Sequence, residues 1–161
     1  MPELPEVEVT RLTLTEHALG RTVCSVTVRD RRLRQPVPEG LARELVGQTL
    51  RALQRRGKYL LWRFDHGTLL THQGMSGVWR VLPSETPAQR HDHLDIAMED
   101  ALLRFHDPRR FGLVLWHPAT SPQGSEHPLL EGLGVEPLDG VFNGAWLYTQ
   151  TRGRKIAIKP L

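Results

Sequence analysis

The stretch KYLLWRFDHGTLLTHQG, residues 58–74, decides the fold. Two short runs rich in Leu, Trp, Phe and Thr flank Asp65-His66-Gly67, a turn triplet, and that combination reads as a β-hairpin. Runs of the same kind recur on both sides. Strand candidates are 22–29, 49–55, 58–64, 68–72, 77–82, 93–98, 101–106 and 111–117, with Glu99-Asp100 as a further hairpin turn. Many short strands joined by close turns predict a mainly β fold, a sandwich or a barrel. Ahead of them, residues 2–20 read as a helix. Pro5 suits a first helical turn, Glu3, Glu6 and Glu8 suit its positive end, and Gly20 suits its stop. Leu4, Val7, Leu14 and Ala18 share one side at helical spacing, interrupted by Arg11. Beyond the strands come a Pro/Ser/Gly-rich loop at 118–125 and helix candidates at 127–133 and 142–151, the second after an Asp139-Gly140 turn. The closing run at 155–161, apolar and basic with no cap, reads as an element cut in the middle.

Composition sets outer limits. At 161 residues, 39% hydrophobic and 24% charged, the chain describes a soluble globular protein with room for one domain and a small appendage. Its 21 Lys and Arg against 18 acids leave a modest positive balance. The basic residues fall into clusters: Arg29, Arg31, Arg32 and Arg34; Arg51, Arg55, Arg56 and Lys58; Arg104, Arg109 and Arg110; Arg152, Arg154, Lys155 and Lys159. Four clusters, three beside strand-like segments, point to a phosphate-tracking surface. Cys24 is the single cysteine, so neither an intrachain disulfide nor a multi-cysteine zinc site can form. The acidic, proline-bearing start lacks the signature of a signal peptide, and no apolar stretch reaches membrane-spanning length. A cytoplasmic protein is the expectation.

The extreme N-terminus carries chemistry. Removal of Met1 before a small second residue would expose the secondary amine of Pro2. An α-amino group titrates near pH ~8 against ~10.4 for lysine, so a useful fraction is unprotonated at neutral pH. Such an amine attacks an electrophilic carbon without a deeply buried pocket to lower its pKa. Condensed with a sugar aldehyde carbon, a prolyl nitrogen gives an iminium that cannot shed an N–H proton, and that cation acidifies the neighbouring carbon for elimination. Glu3 beside it can move protons. The pair His91 and His93 with Asp95 at alternate strand positions suggests a metal site, but a structural role is the expectation there.

PELPEVE at 2–8, RRGKYLL at 55–61, HQGMSG at 72–77, DPRRFG at 107–112 and IKPL at 158–161 resemble, in order and spacing, the formamidopyrimidine-DNA glycosylase family. The Leu4 form is similar to that branch more than to the endonuclease VIII branch, which usually has Gly there. The resemblance implies an eight-stranded β-sandwich with an N-terminal helix over residues 1–117. It also implies that 118–161 hold a loop, short helices and the start of a truncated helix–two-turn–helix domain. The implied activity is base-excision repair: a bifunctional glycosylase and abasic-site lyase that removes oxidised purines from double-stranded DNA through a Schiff base and β,δ-elimination.

Residue by residue, Pro2 matches the nucleophile, Glu3 the catalytic acid, Glu6 a supporting carboxylate and Lys58 a phosphate-holding lysine of the catalytic set. His72 falls where a further phosphate contact is expected. Met75, Arg109 and Phe111 match the residues that fill the gap left by an everted nucleotide, Arg109 facing the orphaned partner base. Singly, Met75 and Phe111 read as core filler and Lys58 as surface charge; their joint order carries the reading. The resemblance implies no cofactor in this chain, the family's four-cysteine zinc finger being absent from the sequence, and a monomer. It departs from the family at Gln73, where Leu is usual, at Gly57, where Ala is common, and at Leu12-Thr13, where Arg-Gly is typical. A truncated, catalytically inactive DNA-binding fragment is the alternative. A tautomerase-like enzyme using an N-terminal proline as base would lack both DPRRFG and the arginine clusters.

Overall fold

A computed structural model describes residues 1–119 and 127–156. They form two compact units, Met1–His127 and Pro128–Leu161. The first unit runs α1 (Leu4–Ala18), β1 (Val23–Val28), α2 (Leu41–Leu45), β2 (Ala52–Arg56), β3 (Tyr59–Phe64), β4 (Gly67–His72), β5 (Val78–Leu82), β6 (Asp92–Met98), β7 (Leu102–His106) and β8 (Leu113–Pro118). The strands make two antiparallel four-stranded sheets, ordered β1-β6-β7-β5 and β2-β3-β4-β8. The mainly β architecture with an N-terminal helix, expected from the turn-punctuated runs, is what the chain adopts.

The hairpin that opened the reading is β3–β4, with Phe64 opposite Gly67 and Tyr59 opposite His72. Leu60, Trp62 and Phe64 alternate into the common core, while Leu61 and Leu70, paired across the strands on the other face, are buried too. Burial on both faces explains why the run is continuously apolar rather than alternating. Trp62 of one sheet meets Trp79 of the other with ring centroids 5.0 Å apart, and Trp79 meets Phe105 at 5.1 Å. Each such side chain removed from water contributes roughly 1.5–3 kcal/mol. Trp62 Nε1 donates to Thr71 Oγ1 at 3.0 Å, so the ring's polar edge is satisfied inside the core.

Helix α1 is shorter than the 2–20 expected from sequence. It has a β-region N-cap at Glu3 and ends at Ala18, with Leu19 as its C-cap and Gly20 beyond at φ 75°. Val7, Leu14 and Ala18 bury themselves in the core, whereas Leu4 is only half-buried. Arg11, the interruption in the apolar stripe, is held by Glu8 Oε1 at 2.6 Å and reaches the Leu53 carbonyl at 3.3 Å. Glu8 also receives Arg55 Nε at 2.9 Å, which ties the helix to β2. Helix α2 has no counterpart in the sequence-based expectations: it is five residues long and buries only Leu41 and Leu45.

In the second unit, α3 (Pro128–Glu131) and α4 (Gly144–Thr151) are shorter than the expected 127–133 and 142–151. Asn143 caps α4, accepting from Trp146 N at 3.0 Å. Most of the loop expected at 118–125, and residues 157–161 of the closing run, lie outside the described residues.

Candidate active site

The N-terminus and two loops of the sandwich surround a pair of open cavities. One, of about 480 Å³, is lined by Pro2, Glu6, Thr10, Gln73, Met75 and Ser76 among others. The second, of about 400 Å³, is lined by Met1, Arg34, His72, Gly74, Met75 and Phe111. Met1 borders both and is 69% exposed, which leaves it open to enzymatic removal.

The helix start organises the first cavity. Glu3 N–H donates to Glu6 Oε2 at 3.0 Å, one arm of a capping box, so Glu6 has a structural duty at the mouth of the cleft. Glu3 Oε2 in turn takes Lys58 Nζ at 2.8 Å. Lys58 is brought there by a two-residue loop between β2 and β3, where Gly57 holds φ 57° at the first loop position, the conformation of a type II′ turn. An alanine there would be strained, which gives the departure at Gly57 a physical sense. The sequence-predicted Pro2, Glu3, Glu6 and Lys58 are thus neighbours along one helix start and one hairpin tip.

The opposite wall is two loops, 73–77 and 107–112. Asp107 is fully buried and accepts from Ser76 Oγ at 2.6 Å and from Gly112 N at 2.8 Å. Ser76 Oγ also receives the Arg109 backbone N–H at 3.2 Å. Gly74, at φ 63°, lies so close to Phe111 that a Cβ would stand 2.4 Å from its carbonyl carbon. These contacts leave Met75 and Phe111 outside the core at 40% and 45% exposure, with the Arg109 guanidinium 5.1 Å above the Phe111 ring. The bland reading of Met75 and Phe111 as core filler therefore does not hold.

His72 Nδ1 accepts the Gly74 backbone N–H at 2.9 Å, so the neutral ring carries its proton on Nε2. Burial first, then the positive charges of Lys58 and Arg34, holds the imidazole below its ordinary pKa. Arg34 beside it was not singled out in the sequence, because nothing in its local pattern distinguishes it from its cluster.

One member of the arginine clusters, Arg104, does not belong to a phosphate-tracking surface. Arg104 is buried at 2% exposure, gripping Asp95 at 2.8 Å with Asp92 3.5 Å away. Arg29 binds Asp95, Arg32 and Arg110 bind Asp30, Arg51 binds Asp65 and Arg55 binds Glu8. Ion pairing engages much of the charge of the first three clusters. His93 Nε2 lies 2.8 Å from the Asp107 carbonyl and Asp95 is held by two arginines, so both side chains have protein partners. Among the described residues no group of three His, Cys, Asp or Glu side chains could hold a metal ion.

Fold and site together define a β-sandwich in which a proline-bearing helix start faces an exposed Met–Phe–Arg wall. The sequence pattern described as the formamidopyrimidine-DNA glycosylase N-terminal domain matches residues 1–114. The chain belongs to the formamidopyrimidine-DNA glycosylase family. It is 54% identical to the formamidopyrimidine-DNA glycosylase of Herminiimonas arsenicoxydans, with 99% of this chain and 58% of that protein covered. With that of Bordetella pertussis the identity is 50% over the same shares. The chain thus spans under two thirds of these relatives' length. The solved Lactococcus lactis Fpg bound to an abasic site containing DNA superposes with a TM-score of 0.68 at 32% identity, over 73% of this chain and 45% of that one. The same enzyme bound to N7-benzyl-Fapy-dG containing DNA matches with a TM-score of 0.68 at 34% identity, over 73% and 44%.

Proposed function

We propose that this domain supplies the catalytic half of a bifunctional DNA glycosylase and abasic-site lyase of base-excision repair. Its substrates would be oxidised purines, formamidopyrimidines and 8-oxoguanine, in double-stranded DNA. The observation that supports this reading is the facing arrangement of Pro2, with the Lys58–Glu3 pair beside it, and the exposed Met75 across one cleft. The names of the relatives point the same way.

Once Met1 is removed, the Pro2 nitrogen attacks C1′ of the everted nucleotide and the base departs with its bonding electron pair. Glu3 takes the proton released by the prolyl nitrogen and passes it to the sugar ring oxygen, the C1′–O bond of the ring breaks, and nitrogen and C1′ form an iminium. The cation draws electrons from the bond to C2′–H. Loss of that proton expels the 3′ phosphate, and a second elimination expels the 5′ phosphate. This chemistry draws on the amine and calls for no metal ion. Lys58 and His72 hold backbone phosphate: a phosphate arriving at Lys58 takes one of its three N–H donors from Glu3. Met75 and Phe111 replace lost base stacking, and the Arg109 guanidinium offers planar donors to the orphaned base. The protein acts as a monomer in the bacterial cytoplasm.

Borohydride reduction with abasic-site DNA tests the reading. A covalent protein–DNA adduct, placed on the N-terminal residue by mass spectrometry and lost in Pro2→Gly, is the expected result. DNA binding with no adduct from Met1-free protein would reduce the domain to a binding module.

A further inference from the structure

Gln73 is 4% exposed, and its Oε1 is buried with no hydrogen-bond partner among the described residues. Which end of the amide is which follows from its neighbour. Thr10 Oγ1 donates its hydrogen to the Glu6 carbonyl at 2.9 Å, so it can only accept from Gln73, whose Nε2 lies 3.3 Å away. The oxygen is therefore the unsatisfied atom. Burying an acceptor with nothing to accept is unfavourable, and such an atom asks for an explanation. The other polar groups of the same cleft are engaged: Glu6 by the Glu3 N–H, Thr10 by the Glu6 carbonyl, Ser76 by Asp107.

We infer that Gln73 is a specificity-determining residue whose Oε1 accepts an N–H from the base held in the cleft beside Pro2. This rests on the proposed base excision. Thr10 stands about two helical turns along α1 from Pro2, on the order of 10 Å. A purine attached at the C1′ under attack by Pro2 is of comparable length. Its edge far from the sugar therefore comes level with Gln73. On 8-oxoguanine and on the formamidopyrimidine of guanine that edge carries a ring N–H and an exocyclic amine, the donors the amide oxygen lacks. An abasic site offers neither.

The test compares the full chain with Gln73→Leu, an apolar side chain of similar size, on duplexes bearing 8-oxoguanine, an abasic site or 8-oxohypoxanthine. Excision of 8-oxoguanine should slow about tenfold in the variant, the worth of a hydrogen bond of ordinary strength. Borohydride trapping on abasic-site DNA should be unchanged. A duplex bearing 8-oxohypoxanthine, which lacks the exocyclic amine, should show a smaller difference between the two proteins if that amine is the donor. An equal difference assigns the contact to the ring N–H. Equal excision of 8-oxoguanine by both proteins overturns the inference, as do parallel losses on 8-oxoguanine and on abasic DNA. Failure of the unaltered, Met1-free protein to trap abasic DNA overturns the proposed function itself, and this inference with it.

Discussion

Ser76 Oγ donates to Asp107 Oδ1 across 2.6 Å, joining two loops that are 31 residues apart in sequence. The bond lies under the wall that carries Met75 on one loop and Arg109 and Phe111 on the other. Rigid support of this kind is what a wedge needs if it is to replace a base rather than bend aside.

Removing the joint should cost stability. Asp107→Ala leaves the Gly112 N–H and the Ser76 hydroxyl without their acceptor in a buried place, and should destabilise by about 2–4 kcal/mol. Ser76→Ala removes one donor and should cost about 1–2 kcal/mol. Urea unfolding measures both; equal midpoints for the two variants and the parent would mean the loops need no joint.

The wedge itself is exposed, so its loss should separate binding from folding. Arg109→Ala should leave the unfolding midpoint unchanged and weaken binding to lesion-bearing duplex by about tenfold, or alter the choice of partner base. Fluorescence anisotropy with the lesion opposite each base checks this, and unaltered affinity for all four would return Arg109 to the status of surface charge.

His72 should leave a signature in the pH dependence of stability. Its imidazole is held below its ordinary 6.5 by burial and by Lys58 and Arg34. A group that takes its proton less readily folded than unfolded contributes stability above the unfolded pKa, and loses it as pH falls through the folded value. Between about pH 7 and pH 5 the unfolding midpoint of the parent should therefore drop more steeply than that of His72→Gln. Parallel curves would show that the ring contributes nothing.

Arg104 predicts the largest single loss. Asp95 and Asp92 would remain buried and charged without it, so Arg104→Met should destabilise by about 3–5 kcal/mol. Burial alone would raise the Asp95 pKa, but hydrogen bonds from Arg104 and Arg29 outweigh it and leave the carboxyl lowered. A variant as stable as the parent would contradict the ion-pair account.

Glu3→Gln should slow base excision more than cleavage of a preformed abasic site, because an abasic sugar opens to its aldehyde by itself and leaves less for Glu3 to do. Equal losses on both substrates would contradict the acid role.

What could be read from the chain follows the range of the interactions involved. The β3–β4 hairpin was legible because its turn and its apolar runs are local, and all eight strand candidates correspond to strands. Helix α2 was not, since five residues with two buried leucines make no periodic pattern. Arg104 was miscast as surface charge for the opposite reason. Arg104 faces Asp95 only once β6 and β7 pair, and Arg29 finds the same carboxylate 66 residues away. Motif order brought out Met75, Arg109 and Phe111, yet their exposure depends on the buried Asp107, which alone reads as the start of a turn. Gln73 was visible as a departure, but its unsatisfied oxygen depends on Thr10, 63 residues distant.

Met1 borders both cavities, ahead of a helix that begins at Leu4. Anything fused upstream, an affinity tag above all, would therefore lie across the mouths of both. Recombinant protein meant for assay is best purified through a handle at its other end, and a preparation that is inert with an N-terminal tag says nothing about the untagged molecule.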